Sequence, residues 1–153
     1  MIKTAARKLE VEIDDASSIE LARRARGTAR IALKLLKRVR DFAQVKGDGK
    51  INKEVVEKAL EVLEVDPLGL NEADRRYLLS VIQKHGGGPV GIETLASSIS
   101  EDIGTVEEVI EPYLMQLGFI KRTPRGRQVT AASYKHLKIA VPDSAEQKRL
   151  LLE

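Results

Sequence analysis

The chain has 153 residues with a net charge of +3, so it fits one ordinary domain or two small ones and is not a general polycation. Hydrophobic residues make up 42% and aromatic residues only 3%, which predicts a core of Leu, Ile, Val and Ala and favours helices. The absence of cysteine excludes disulfides, zinc–thiolate sites and a cysteine nucleophile, and no apolar run approaches the roughly 18 residues of a membrane span, so we expect a cytoplasmic protein.

The first half of the chain reads as helices throughout. The longest is predicted at 29–45, because apolar residues recur along it with the period of a helix and Thr28 precedes it as an N-cap. Gly47 ends this helix, and the region of Pro67 reads as a linker at which we place a domain boundary. The other predicted helices are 2–9, then 16–25 after the capping acids Asp14 and Asp15 with Ile19 and Leu21 on its apolar side, and one that Asn52 caps, with its apolar stripe at 55–63.

The second half begins with helices and then changes character. Pro89-Val90-Gly91 allows only a short extended piece, and a turn at 123–126 separates two strand candidates. Helices are predicted at 71–85, 92–99, 104–117 (with Val106, Val109, Ile110 and Leu114 on its apolar side) and 131–137, and strands at 119–123 and 127–130. Three helices followed by a basic β-hairpin is the order of a winged helix–turn–helix domain. We therefore predict a mainly α fold, with a helical domain at 1–66, a winged helix at 67–138 and a flexible tail at 139–153.

The motifs that resemble catalytic sites lack residues that those sites require. Gly47-Asp48-Gly49-Lys50 resembles the end of a phosphate loop, but an earlier glycine is missing and Ile51 stands where Ser or Thr is required. The run from His85 to Gly88 resembles the oxyanion motif of lipases, but the chain has no G-x-S-x-G nucleophile elbow. With two histidines, a histidine-rich metal site is not available. We therefore assign no catalytic residue and no metal site, and expect no catalysis by this chain alone.

The first basic island suggests an anion site at the start of the longest helix. From Leu21 to Arg40 there are eight Lys/Arg and no acid. A helix N-terminus has free N–H groups and the positive end of the dipole, and Arg30, close to that end, would add a planar fork suited to phosphate oxygens. The alternative is an ordinary solvated basic face formed by Arg30, Lys34 and Lys37.

The second basic island lies in the predicted hairpin. With Pro124 and Arg125 as a two-residue loop, Arg122 faces Arg127 across the hairpin, and both guanidinium groups lie on one face as a pair able to hold phosphate. Lys121 adds a further cation. A bulge at the glycine after Arg125 would shift this register. The alternative role is edge protection, since charged residues keep exposed hairpins from pairing with other chains.

The helix before the hairpin is a poor candidate for contact with DNA. Its first turns carry Glu107, Glu108 and Glu111, which would repel phosphate in a major groove. We therefore expect the wing, rather than this helix, to contact nucleic acid.

Several separated motifs together resemble one family. In chain order they are RGTAR at 26–30, RVRDFA at 38–43, GGGPVG at 86–91, EPYL at 111–114 and RTPRGR at 122–127. The set is similar to the RuvB family, the motor subunits of the bacterial Holliday-junction branch-migration machine. The resemblance extends from Ile2 to about Leu137, which is nearly the whole chain.

This resemblance implies that the chain is a C-terminal fragment, with the helical lid of an AAA+-type ATPase followed by a DNA-binding winged helix. It implies that the longer protein uses ATP with Mg²⁺ on a large domain outside this chain, and that no cofactor is bound by the fragment itself. Arg30 matches the family's sensor-2 arginine, which reaches the nucleotide phosphates. Arg122, Arg125 and Arg127 match wing residues that contact the DNA backbone, with Lys121 beside them.

The implied partners are double-stranded DNA or a Holliday junction, identical subunits in a hexamer, and a RuvA-like junction-binding protein that docks on the large domain. No membrane is implied. The main alternative is a static winged-helix module of a replication initiator or transcription regulator, which would have no reason to carry a phosphate-binding arginine at position 30. A third possibility is a winged helix that serves only protein contacts, for which the wing arginines would be dispensable in DNA binding.

Overall fold

The computed structural model describes residues 1–142, so most of the tail predicted at 139–153 lies outside the described residues. The chain divides into two compact units, the first covering Met1–Glu72 and the second beginning at Ala73. Within the described range, no helix is long and apolar enough to cross a membrane.

The first unit is built of helices whose predicted N-caps are confirmed. The helices are α1 Ile2–Lys8, α2 Asp15–Arg24, α3 Ala29–Lys46 and α4 Lys53–Val62. The side chains of Asp14, Thr28 and Asn52 accept hydrogen bonds from backbone N–H groups three residues further on, at 2.7, 3.2 and 2.9 Å. Each cap satisfies one of the N–H groups that a helix start leaves without an internal partner.

Aliphatic side chains from these helices form the core of the first unit, as the composition predicts. The prediction that Ile19 lies on the apolar side of α2 is wrong, because its side chain is 62% exposed. The buried face of α2 follows Ser17, Leu21 and Ala25 at four-residue intervals, and Ile19 is half a turn away from it. The prediction of helices throughout also missed a parallel bridge that joins Ile13 to Ile51.

The second unit follows the predicted order of helices, hairpin and closing helix. Its elements are α5 Glu72–His85, α6 Ile92–Ser98, α7 Ile103–Thr105, a π-helical segment Val106–Ile110, α8 Glu111–Gln116, β1 Ile120–Thr123, β2 Gly126–Val129 and α9 Ala131–His136. Each strand begins or ends one residue from its predicted limit. The largest fully buried side chains include Tyr77 and Tyr134, so two of the few aromatic residues contribute to this core.

The predicted third helix is continuous but not regular. It passes from α7 through the π-helical segment into α8, and the wider π turn changes which side chains face inward. Val106, Ile110 and Leu114 are buried as predicted, whereas Val109 is 61% exposed and its placement on the apolar side is wrong. Glu111, the residue after the π-helical segment, is fully buried instead.

Candidate functional site

The wing hairpin has the register that the sequence predicts. Arg122 pairs with Arg127 and Thr123 with Gly126, which leaves Pro124 and Arg125 as the loop. The Thr123 hydroxyl closes this loop by donating to the Gly126 carbonyl at 2.9 Å. Because directly opposed residues of an antiparallel pair point to the same face, the two arginines share one face of the hairpin.

The base of the hairpin is held by the short extended piece around Val90. The backbone N–H of Val90 donates to the carbonyl of Arg127 at 2.9 Å, and the N–H of Arg127 donates to the carbonyl of Val90 at 2.8 Å. Gly126 has a φ of +131°, and a Cβ atom there would overlap the Val90 carbonyl. Gly88 lies equally close to the backbone of β2. A Cβ atom at Gly88 would lie 2.5 Å from the Arg127 carbonyl oxygen. Glycine at these positions allows the backbone segments to approach.

A buried carboxylate joins the two wing arginines. Glu111 Oε2 accepts hydrogen bonds from Arg122 Nε at 3.0 Å and Nη2 at 2.8 Å. Glu111 Oε1 accepts one from Arg127 Nε at 3.0 Å, and Arg127 Nη2 donates to Glu107 at 3.3 Å. The expectation that Glu111 repels phosphate together with Glu107 and Glu108 does not apply, because its side chain is fully buried and its charge is paired. The π turn places it beneath the hairpin, where two guanidinium groups compensate its charge.

Tyr77 of α5 completes this cluster from below. Its hydroxyl donates to Glu111 Oε1 at 3.1 Å. Burial raises the pKa of Tyr77 far above its usual range, and the charge of Glu111 raises it further. The phenol therefore stays protonated at neutral pH, where it donates to the carboxylate.

Glu111 and Tyr77 are functional candidates that the sequence reasoning missed. The sequence does contain one indication: Glu111 directly follows Ile110, at the edge of the apolar stripe of the third helix. An acid in that position, close in sequence to a hairpin with arginines at paired positions, is compatible with an ion pair but does not decide whether the acid is buried. What the sequence did not predict was the π turn that carries Glu111 inward.

The structure divides the four predicted wing cations. Arg127 is largely covered, with 16% of its side chain exposed, whereas Arg122 keeps 45% of its side chain exposed. Arg125 lies exposed in the loop. Lys121 pairs with Gln128, one residue out of phase with the arginine pair, so it lies on the opposite face of the hairpin.

Arg30 lies at the start of α3, in the first unit. Arg26 at φ +59° and Gly27 at φ +70° turn the chain sharply before the Thr28 cap, so that α3 begins at an exposed corner. Arg30 is exposed, and within residues 1–142 its guanidinium makes no hydrogen bond or ion pair. Ala29, its neighbour, lines a small apolar groove of about 140 Å³ together with Ile2, Ala5, Leu33 and others from α1 and α3.

Metal ligands are not grouped anywhere in the described part of the chain. Among those residues, no set of three His, Asp or Glu side chains lies close enough to hold a metal ion.

Comparison with known proteins assigns both units. Residues 1–66 match the RuvB AAA lid domain, and residues 67–138 match the RuvB C-terminal winged helix domain. The chain belongs to the RuvB family. The resemblance that the motifs indicated is confirmed, as is the mainly helical fold of a lid followed by a winged helix with a two-stranded wing.

Individual RuvB proteins are similar over almost the whole chain. The Holliday junction branch migration complex subunit RuvB of Solibacter usitatus (strain Ellin6076) is 53% identical over 139 residues, which are 91% of this chain and 40% of that protein. The structure of the Thermotoga maritima RuvB Holliday junction branch migration motor is 51% identical with a TM-score of 0.88 over 92% of this chain and 47% of that one. The P216G mutant of the same protein gives the same values. The chain thus spans less than half the length of the RuvB proteins that it matches.

Proposed function

We propose that this chain serves as the C-terminal part of an ATP-driven motor that moves the branch point of a Holliday junction during recombination and repair. In this function the wing holds the backbone of double-stranded DNA, and Arg30 contacts nucleotide phosphate. Membership of the RuvB family supports the proposal, as does the name of the Solibacter usitatus relative, a subunit of a branch migration complex. A hexamer of identical subunits and a RuvA-like junction-binding partner belong to the same proposal.

The wing supports this function through two exposed arginines on an antiparallel hairpin. Arg125 occupies the loop and Arg122 is half-exposed, so both are accessible to phosphate. We assign Arg127 to holding the hairpin, because its side chain is mostly covered and its Nε and Nη2 donate to glutamates. Lys121 would reach a phosphate only from the other face. Phosphate contacts of this kind position a protein on DNA without reading its sequence.

Arg30 supports a role in nucleotide sensing. When ATP is bound to the proposed motor, its hydrolysis would supply the free energy for movement. An exposed arginine in the first turn of an eighteen-residue helix, without a partner in the described part of the chain, fits a phosphate oxygen approaching from outside the unit. Arg30 would contact one edge of the nucleotide, and the rest of the nucleotide site would lie on the larger domain.

Substituting the exposed wing arginines tests whether the wing is the part of the chain that binds DNA. We expect the Arg122→Ala/Arg125→Ala variant of the 153-residue chain to lose most of its affinity for a labelled duplex in fluorescence anisotropy. The matched control is Lys84→Ala/Lys135→Ala, which removes the same charge from exposed positions on α5 and α9. Equal loss in both variants would show that overall charge, rather than the wing, attracts DNA.

A further inference from the structure

The arginine cluster beneath the wing contains as much negative charge as positive charge. Arg122 and Arg127 contribute two positive charges, and Glu107 and Glu111 contribute two negative charges. Each of the ion pairs has an N–O distance of 3.3 Å or less. The cluster therefore does not attract DNA by net charge. Whatever it contributes to a phosphate contact must come from how it places the guanidinium groups.

Glu111 fixes the orientation of Arg122 through one edge of its guanidinium. Arg122 Nε and Nη2 both donate to the same carboxylate oxygen, Glu111 Oε2. Among the described residues, Nη1 of Arg122 makes no hydrogen bond, and the side chain is nearly half exposed. The buried edge is thus held and the outer edge remains available for an incoming oxygen.

Glu111 can hold this position because it is itself held. Its Oε1 accepts hydrogen bonds from Arg127 Nε at 3.0 Å and from the Tyr77 hydroxyl at 3.1 Å. Fixing a long side chain before it binds removes part of the entropy cost of the binding step.

We propose that Glu111 is a positioning residue for DNA binding: it presents the outer edge of the Arg122 guanidinium to a backbone phosphate. This inference rests on the proposed function of the wing. It makes a prediction that opposes simple electrostatics. Removing the charge of Glu111 makes the protein more positive, yet it should weaken binding to DNA, because Arg122 is no longer held in place.

The test compares Glu111→Gln with Glu108→Gln in the 153-residue chain. Both substitutions remove one negative charge from the same stretch of helix, but Glu108 is exposed and, among the described residues, makes no ion pair. Binding is measured with a labelled duplex by fluorescence anisotropy across a salt series. We expect Glu108→Gln to bind as tightly as wild type or slightly more tightly. We expect Glu111→Gln to bind at least about 3-fold more weakly, with a log–log salt slope shallower by about 0.9, which is the loss of one phosphate contact.

Arg122→Lys keeps the proposal testable if Glu111→Gln does not fold. This variant, whose folding is checked by circular dichroism, keeps the charge but cannot donate from two nitrogens to one carboxylate in the same fixed orientation. It should show the same loss of affinity and slope. Glu111→Gln binding as tightly as Glu108→Gln, or Arg122→Lys binding like wild type, would overturn the positioning role while leaving the wing as the DNA contact. A wild-type chain without salt-dependent binding would overturn the proposed function, and this inference with it.

Discussion

At the scale of single residues, glycine determines how closely the hairpin can approach its neighbour. Gly126 begins β2 and faces the Val90 carbonyl, with no space for a side chain. The sequence predicted a turn that ends at this glycine, but it could not show that a third backbone segment lies against it. That contact is long-range, and a local pattern carries no information about it.

Replacing Gly126 with alanine should therefore destabilise the winged-helix unit. The left-handed φ of +131° and the overlap with Val90 both disfavour a Cβ atom, and we expect a loss of about 2 kcal/mol or more in the free energy of unfolding. Chemical denaturation measures this change. The control is Gly91→Ala, because Gly91 has open space around its Cβ position. Equal stability of the two variants would contradict the close packing described above.

The burial of Glu111 is a second feature at the residue scale that the sequence alone does not determine. The pairing of Arg122 with Arg127 followed from the two-residue loop and could be predicted. The carboxylate that binds both could not, because an α-helical projection places Glu111 at the border of the apolar face. The π turn decides on which side of that border it lies.

At the scale of elements, helix starts were the most predictable features. Asp14, Thr28 and Asn52 cap α2, α3 and α4 because their short polar side chains reach N–H groups of the next turn. The caps depend on neighbours within four residues, and the sequence contains all of that information. Val109 is exposed because of the π turn, which the local sequence does not display. Ile19 is exposed because it lies half a turn away from the buried Leu21.

The cap of α2 gives a prediction with a defined pH dependence. Hydrogen bonding to Ser17, whose backbone N–H donates to the carboxylate at 2.7 Å, lowers the pKa of Asp14 below its usual value. A carboxylate with a lowered pKa stabilises the folded state above its unfolded pKa, and this contribution disappears as the pH falls through the folded pKa. We expect Asp14→Ala to cost about 1 kcal/mol at pH 7 and progressively less below about pH 4.

Denaturation of Asp14→Ala and wild type at several pH values provides the measurement. Asp14→Asn is the matched control, because asparagine also caps a helix but does not titrate in this range. Relative to Asp14→Asn, wild type should lose stability as the solution becomes acidic. A constant difference between wild type and Asp14→Ala from pH 7 to pH 3 would show that the charged cap does not contribute.

At the scale of the whole molecule, the exposed arginines that we propose as anion contacts lie in both units. The first unit carries Arg30 at an exposed helix start, and the second carries a hairpin whose exposed arginines are Arg122 and Arg125. Motif order and the winged-helix order of elements predicted this organisation. The difference in exposure between Arg122 and Arg127 was not predictable, because it depends on side-chain contacts with the third helix.

Arg30 should matter only where a nucleotide is present. In a full-length protein containing this chain, we expect Arg30→Ala to reduce ATP hydrolysis about 100-fold, by analogy with other lost donors to a developing charge. The free energy of unfolding should not change, because Arg30 is exposed and makes no ion pair among the described residues. Lys34→Ala, one turn further along the same exposed face, is the control. Hydrolysis at the wild-type rate by Arg30→Ala would identify this face as merely solvated.

In the proposed function, the wing holds the DNA backbone and leaves the bases unread. Fluorescence anisotropy of the wild-type chain with two labelled duplexes of unrelated sequence, across a salt series, tests this mode of binding. With Arg122 and Arg125 as the phosphate contacts, the log–log salt slope should be about −1.8, and the two affinities should agree within about 3-fold. A hundredfold preference for one duplex would contradict binding through the backbone alone and would favour a static, sequence-reading regulator.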